Sequence, residues 1–349
     1  MNHLDSLNRR DFLRLASFAC GSGLLTACSS SDSIRQSSSD TIPVRFALSW
    51  KAEAEYGGFY QALATGIYEK FGLDATIRPI NPQTNNTQLL LGNVIDLTMG
   101  GSLNSIKAVA EDLPLVTVAA MFQKEIQVLL SHPNVGNDSL PDLKGKPVFI
   151  APSSRTSFWK LLKIKYGFSD TQIRSYNFNP APFLENKSSA QQGILTSEPY
   201  IIEKEGGFKP VVHLLQDSGY NPYTFTIDTT QALVDNYPDV VDRFVDASII
   251  GWYSYLDDPA PANTLIKQDN PDMTDDLLAY GLRALKEYDI ITSGDAAYLG
   301  IGAMIDERWQ EFFSSMVEVG LFDRTVDYRK AYTLQFVNKG VDYYQSYRT

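Results

Sequence analysis

The 349-residue sequence predicts an α/β fold. Three observations carry that expectation. Strand-type and helix-type hydrophobic periods alternate between residues 44 and 122. A shorter cycle of the same kind follows a turn-rich stretch at 132–146. From Thr230 onward the pattern is mostly helical.

Val44, Phe46 and Leu48 alternate with Arg45, Ala47 and Ser49, the period of two of a strand. Phe59, Leu63, Ile67 and Phe71 recur every four residues, which predicts one amphipathic helix closed by Gly72. A strand over 74–80, a helix over 84–91, a strand over 95–99, a helix over 102–110 and a strand over 115–122 complete the first cycle. The second has strands at 147–151, 173–178, 191–195 and 211–215, with a helix at 158–166 that stops at Gly167. Helices are then expected at 231–236, 239–255, 275–287, 306–319 and 328–332. Pro259 and Pro261 break the run after Asp257-Asp258. There is no fixed-period repeat.

Composition narrows the function. At 44% apolar and 12% aromatic residues the chain can build real cores. Net charge is −11; removing residues 1–27 takes away three Arg and two Asp and leaves −12. That balance excludes nucleic acid as a partner, since a phosphate backbone needs a basic footprint. The two cysteines, Cys20 and Cys28, both fall in the first 28 residues, so the body has no disulfide, thiolate metal site or cysteine nucleophile. Neither a metal nor a cofactor is expected, because no carboxylates fall at ligand spacing and no Walker loop, nucleophile elbow or dinucleotide fingerprint is present. His132 and His213, the body's only histidines, are expected to be structural.

The N-terminus is an address. Arg9-Arg10 precedes a diluted apolar run to Leu25, shorter than the ~20 apolar residues of a membrane span. The run meets Leu25-Thr26-Ala27-Cys28, which looks like a lipobox, so Cys28 is the expected lipidation site and mature N-terminus. Seven serines in 29–42 suit a flexible tether. The expected product is an exported, membrane-anchored lipoprotein of the periplasm or cell surface, carried by the twin-arginine route.

Trp50, Tyr56-Gly57-Gly58-Phe59-Tyr60-Gln61-Ala62, Gly66-Ile67-Tyr68 and Phe71-Gly72-Leu73-Asp74 follow one another after the first strand. With Gly92-Asn93-Val94-Ile95-Asp96-Leu97, Asp142-Leu143-Lys144-Gly145-Lys146-Pro147 and Thr196-Ser197-Glu198-Pro199, this order resembles periplasmic solute-binding proteins of the nitrate, sulfonate and thiamine-precursor group. The aromatic-rich helix start looks most like the thiamine-pyrimidine branch. The resemblance implies a type II periplasmic-binding-protein fold, two α/β lobes joined by a double-crossing hinge. Lobe 1 would comprise 43–128 and 226–349 and lobe 2 would be inserted at 129–225, with crossings near 126–132 and 222–230. It implies a monomer that gives its solute to the permease and ATPase subunits of an ABC importer, and no catalysis.

Ligands of open α/β sheets bind beyond the carboxyl ends of the strands, so the cleft between lobes is the expected site. Trp50, Tyr56, Tyr60, Trp159 and Tyr223 could stack on a planar ring, with core packing as the alternative. Gly57 and Gly58 open a helix whose free N–H groups could hold an anion or let a ring approach; a tight turn explains them as well. Glu198 could accept bonds from an exocyclic amine or cap a helix. Asn81, Gln83 and Asn85 could read ring edges or simply be loop residues. Gly101 and Ser102 in one lobe, and Ser153, Ser154, Arg155 and Thr156 in the other, suit a clamp of facing helix starts. Arg155 is the cation placed for a carboxylate or sulfonate. The expected solute is a small nitrogen heterocycle such as a thiamine pyrimidine precursor. The alternatives are an alkylsulfonate or nitrate receptor and, in another class, a pyrimidine-synthase-like enzyme.

Overall fold

The computed structural model describes residues 41–81 and 84–347. The signal expected over 1–27, Cys28, nearly all of the tether and Gln83 lie outside the described residues.

Ten strands are formed: β1 (Ile42–Ala47), β2 (Leu73–Arg78), β3 (Leu97–Gly101), β4 (Leu115–Phe122), β5 (Gln127–Ser131), β6 (Val148–Ile150), β7 (Ile173–Ser175), β8 (Ala190–Ile194), β9 (Val211–Leu214) and β10 (Thr224–Thr230). They make two five-stranded sheets, β2-β1-β3-β10-β4 and β7-β6-β8-β5-β9. Each sheet has one antiparallel member in fourth place, β10 in the first and β5 in the second. Each is also the strand that has just arrived from the other sheet. All eight residues of β4 are buried, as expected of a strand covered on both faces. This is the two-lobed α/β architecture the sequence predicts.

The chain leaves the first sheet after Phe122 and enters the second at Gln127; it returns between Leu214 and Thr224. The segments read as crossings, 126–132 and 222–230, are therefore largely strands β5 and β10. The outgoing crossing, 123–126, is four residues long, and the return, 215–223, is longer and carries a 3-10 turn at Leu215–Ser218.

Other departures have local causes. The single helix expected through Phe71 is two, Gly57–Ala64 and Ile67–Lys70, because Gly66 adopts a left-handed φ of 69° between them. Pro259 and Pro261 do not only interrupt: they start a helix at Ala260–Asp269, in the first turn where a missing N–H costs nothing. A helix also forms at Glu198–Gly206, with Pro199 in its first turn.

The first lobe is held by the 20-residue helix Pro238–Asp257 crossing helix Gly57–Ala64 at close range. A Cβ on Gly58 would lie 2.2 Å from the Trp252 ring, one on Gly57 2.1 Å from Tyr255, and one on Gly251 2.3 Å from the Gly58 carbonyl oxygen. Three glycines thus set the interhelical distance. Beneath β10, the buried Asp228 carboxylate accepts from Thr117 and Thr226 at 2.7 Å each and from Ser105 at 3.3 Å. Burial still pushes its pKa up to about 6.

Candidate functional site

A cleft of about 1460 Å³ is lined from both sheets and from the crossings between them. Trp50 follows β1, Gly100 and Gly101 end β3, and Ser153, Ser154 and Thr156 follow β6. The carboxyl ends of strands therefore build it, as in other open α/β sheets.

Trp50 meets Phe178 of the other lobe with ring centroids 4.7 Å apart. Tyr56, also in the lining, shares a hydrogen bond with Ser49 at 3.0 Å and lies 5.4 Å from Phe225. On the second lobe, Gln192 Oε1 accepts from Ser154 Oγ at 2.7 Å and from the Ala151 N–H at 3.0 Å. Its amide continues the chain to Gln127 at 3.4 Å, and the Gln127 amide reaches Glu125 at 3.4 Å. The Gln127 N–H donates to Glu125 at 2.8 Å, yet burial pushes the Glu125 pKa up to about 7.

Glu198 is the first residue of its helix. Its carboxylate accepts from the Ile194 N–H and the Ser197 hydroxyl at 2.7 Å each, and from Tyr176 at 3.4 Å. Burial raises its pKa. Glu53 and Glu55 share this corner, with Thr196 donating to Glu55 at 3.0 Å. Burial and the neighbouring Glu55 and Glu198 raise the Glu53 pKa well above the carboxylate range. Burial likewise raises the pKa of Glu55, so both carboxyls of this corner hold their protons more tightly than free ones do.

Of the residues singled out from sequence, the cleft brings together Trp50, Tyr56, Asn81, Gly101, Ser153, Ser154, Thr156, Glu198 and Tyr223. Seven others among the described residues do not line it; one of them, Asn85, caps the helix Asn86–Leu91 by accepting from the Gln88 N–H at 3.2 Å. Gly57 and Gly58 are covered by Tyr255 and Trp252, and the Gly57 N–H is already donated to the Ala54 carbonyl, so no anion-holding helix start exists there. The Tyr60 hydroxyl donates to Asp269 at 2.6 Å, tying two helices of one lobe together. Trp159 is buried with its indole N–H on Asp170 at 2.9 Å. Ser102 is buried behind Gly101, and Arg155 is exposed outside the cleft, where its charge acts on Asp170. His132 and His213 are buried in the second lobe, bonded to Phe183 and Ser131.

Sequence reasoning missed Glu53, Glu55, Glu125, Gln127, Phe178, Gln192 and Phe225. Glu125 and Gln192 sit among other polar residues, Gln123-Lys124 and Gln191, so no local break in an apolar run marks them. The cleft lining holds seven acidic residues and only two basic ones, Lys51 and Lys107, both more than half exposed.

Two mixed α/β sheets hinged over a cleft lined with aromatic rings and carboxyl groups define a two-lobed solute-binding protein. Sequence and fold comparisons agree. Residues 53–262 match the NMT1/THI5-like family, and the chain belongs to it. It is similar to the riboflavin-binding protein RibY of Chloroflexus aurantiacus, 27% identical over 307 residues, 85% of this chain and 86% of that one. It is also similar to a formylaminopyrimidine-binding protein of Halalkalibacterium halodurans, 24% identical, covering 68% of this chain and 73% of the relative. In fold it is similar to the periplasmic aliphatic sulphonate binding protein SsuA of Escherichia coli, with a TM-score of 0.59 and 17% identity, covering 83% of this chain and 91% of that one. The desulfurization enzyme DszB shares the fold at a TM-score of 0.52 and 12% identity, covering 88% of this chain and all of that one. Family members of this kind are mainly periplasmic binding proteins, so the fold hosts chiefly capture and occasionally catalysis. Among the described residues, no helix is long and apolar enough to cross a membrane.

Proposed function

We propose that the protein captures a flat, uncharged nitrogen heterocycle with a pyrimidine-type edge and closes its two lobes over it. It acts as an exported lipoprotein, anchored through Cys28, that passes its solute to the permease and ATPase of an ABC importer. One observation carries the reading: the cleft pairs aromatic faces with an excess of carboxyl groups. A sulfonate or nitrate would find little cationic help in the lining, because Lys51 and Lys107 pair with Asp272 and Glu111 and Arg155 does not line the cleft. Ring N–H and exocyclic amine groups would instead meet acceptors at Glu198, Glu55 and Gln192, while the ring faces meet Trp50 and Tyr56. The relatives named for riboflavin and formylaminopyrimidine support this choice, since both ligands contain a pyrimidine-derived ring. Catalysis is disfavoured because the body carries no cysteine nucleophile and its two histidines are engaged away from the cleft.

The test is a thermal-shift screen of the mature protein against an aminopyrimidine, uracil, riboflavin, taurine and nitrate. A ligand at 100-fold its Kd adds about 2.7 kcal/mol, a shift of several degrees for a chain of this size. The reading expects a heterocycle to give that shift and Trp50→Ala or Glu198→Gln to remove most of it. A shift with taurine or nitrate alone contradicts it.

A further inference from the structure

Seven non-glycine residues among those described have a positive φ. Five are Asn or Asp, the residues that tolerate this region through short side chains that bond the local backbone. The other two are Phe178, at φ 63°, and Phe225, at φ 50°, and both line the cleft. A bulky side chain in the left-handed region is strained, and such strain persists only where the surroundings impose it. At Phe225 the imposing feature is a bulge: the register of β10 against β3 slips between Thr224 and Thr226. The slip turns the ring onto Phe122, stacked at 4.2 Å and 21°, with Tyr56 at 5.4 Å. At Phe178 the chain has just left the second sheet, and the ring is aimed back across the cleft at Trp50 while remaining 50% exposed.

These rings share one cleft lining with Trp50 and Tyr56. Phe178 lies 4.7 Å from Trp50, Ser49 beside Trp50 bonds the Tyr56 hydroxyl at 3.0 Å, and the Tyr56 ring lies 5.4 Å from Phe225. Phe178 and Phe225 thus belong to two separate ring pairs of one cleft, so a single ring is too small to meet both. A fused ring system presents a longer face to that lining.

We infer that Phe178 and Phe225 are the specificity-determining plates of the cleft, held at its two ends by left-handed backbone, and that they select a fused multi-ring heterocycle over a single ring. The inference rests on the proposed function and narrows its ligand class. Phe225 supplies the fixed plate at the hinge, and Phe178 the plate that travels with the second lobe.

The experiment compares lumichrome, a bare fused tricycle, with cytosine, a single ring with a similar N–H edge, by fluorescence and calorimetric titration of the mature protein. Variants are Phe178→Gly, which permits the same backbone without the ring, and Phe225→Leu, which keeps apolar bulk against Phe122. Lumichrome should bind at least about tenfold more tightly than cytosine, and each variant should weaken lumichrome by about tenfold. The melting temperature of Phe178→Gly without ligand should hold or rise as the strain is released. Tight cytosine binding with weaker lumichrome binding overturns the inference and leaves the proposed function standing. So does lumichrome affinity unchanged in Phe178→Gly. Binding of neither ring overturns both.

Discussion

The guanidinium of Arg308 lies 4.1 Å from the centre of the Tyr223 ring. The same group donates to the backbone carbonyl and the side-chain oxygen of Gln123. Gln123 belongs to the outgoing crossing and Tyr223 to the returning one, so one side chain from helix Asp306–Glu318 clasps both strands of the hinge. The Tyr223 hydroxyl adds a bond to Asp295 at 2.7 Å and accepts from the Ile305 N–H at 3.1 Å.

Removing the clasp should loosen the hinge measurably. A desolvated cation–ring contact contributes up to ~2 kcal/mol and a hydrogen bond from a charged donor ~1.5–3 kcal/mol, with partial overlap. Arg308→Ala is expected to lower unfolding stability by roughly 2–3 kcal/mol, read from the urea midpoint. Arg308→Lys should recover less than half, because an ammonium cannot stack and bond with the same planar fork. An unchanged midpoint in the alanine variant would show that the clasp holds nothing.

Stability should fall as pH rises through the range set by Glu125. Its folded pKa is pushed up to about 7, above the ordinary value near 4 to 4.5, so the folded state holds the proton more tightly. Its favourable contribution is complete below pH ~4.5 and is lost by pH ~7. Asp228, raised to about 6, acts in the same direction. Glu125→Gln keeps the acceptor for the Gln127 N–H but cannot ionise. It should gain on the unsubstituted protein by on the order of 2 kcal/mol between pH 4.5 and 7.5, with no further gain above. Melting curves across that range decide it, and parallel curves for the two proteins would refute the assignment.

Gly58 should prove structural. A Cβ there needs the Trp252 ring to move, and neither residue lines the cleft. Gly58→Ala is expected to cost roughly 3 kcal/mol of stability, as overpacking does. The folded fraction should bind ligand with unchanged affinity. A weakened Kd with an unchanged melting temperature would put the glycine back at the ligand.

The alternating periods fixed most elements because burial on one face or both leaves a local trace. The residue ranges expected for the strand at Leu115–Phe122 and the helices at Ser102–Ala110, Phe158–Tyr166 and Asp275–Glu287 are those observed. Strands β5 and β10 carry no local mark that separates them from the crossings, because their pairing partners are set by the crossing itself. Helix start Gly57-Gly58 suits an anion on its N–H groups, a ring at close approach or a tight turn equally well; which atoms approach, a ligand or Trp252, is a tertiary fact. Arg155 lies in the right loop, the 3-10 turn Pro152–Thr156, but only its neighbours Ser153, Ser154 and Thr156 line the cleft. Phe178 and Phe225 carried no mark at all, since nothing in a phenylalanine announces a left-handed backbone.

The most direct test is calorimetric titration of the mature protein with its best heterocycle and with an alkylsulfonate, at low and high salt. A neutral ring recognised by stacking and carboxyl acceptors should bind with a Kd that salt hardly changes, while the sulfonate gives no heat. Sulfonate binding that weakens steeply as salt rises, with no heat from any heterocycle, would contradict the account.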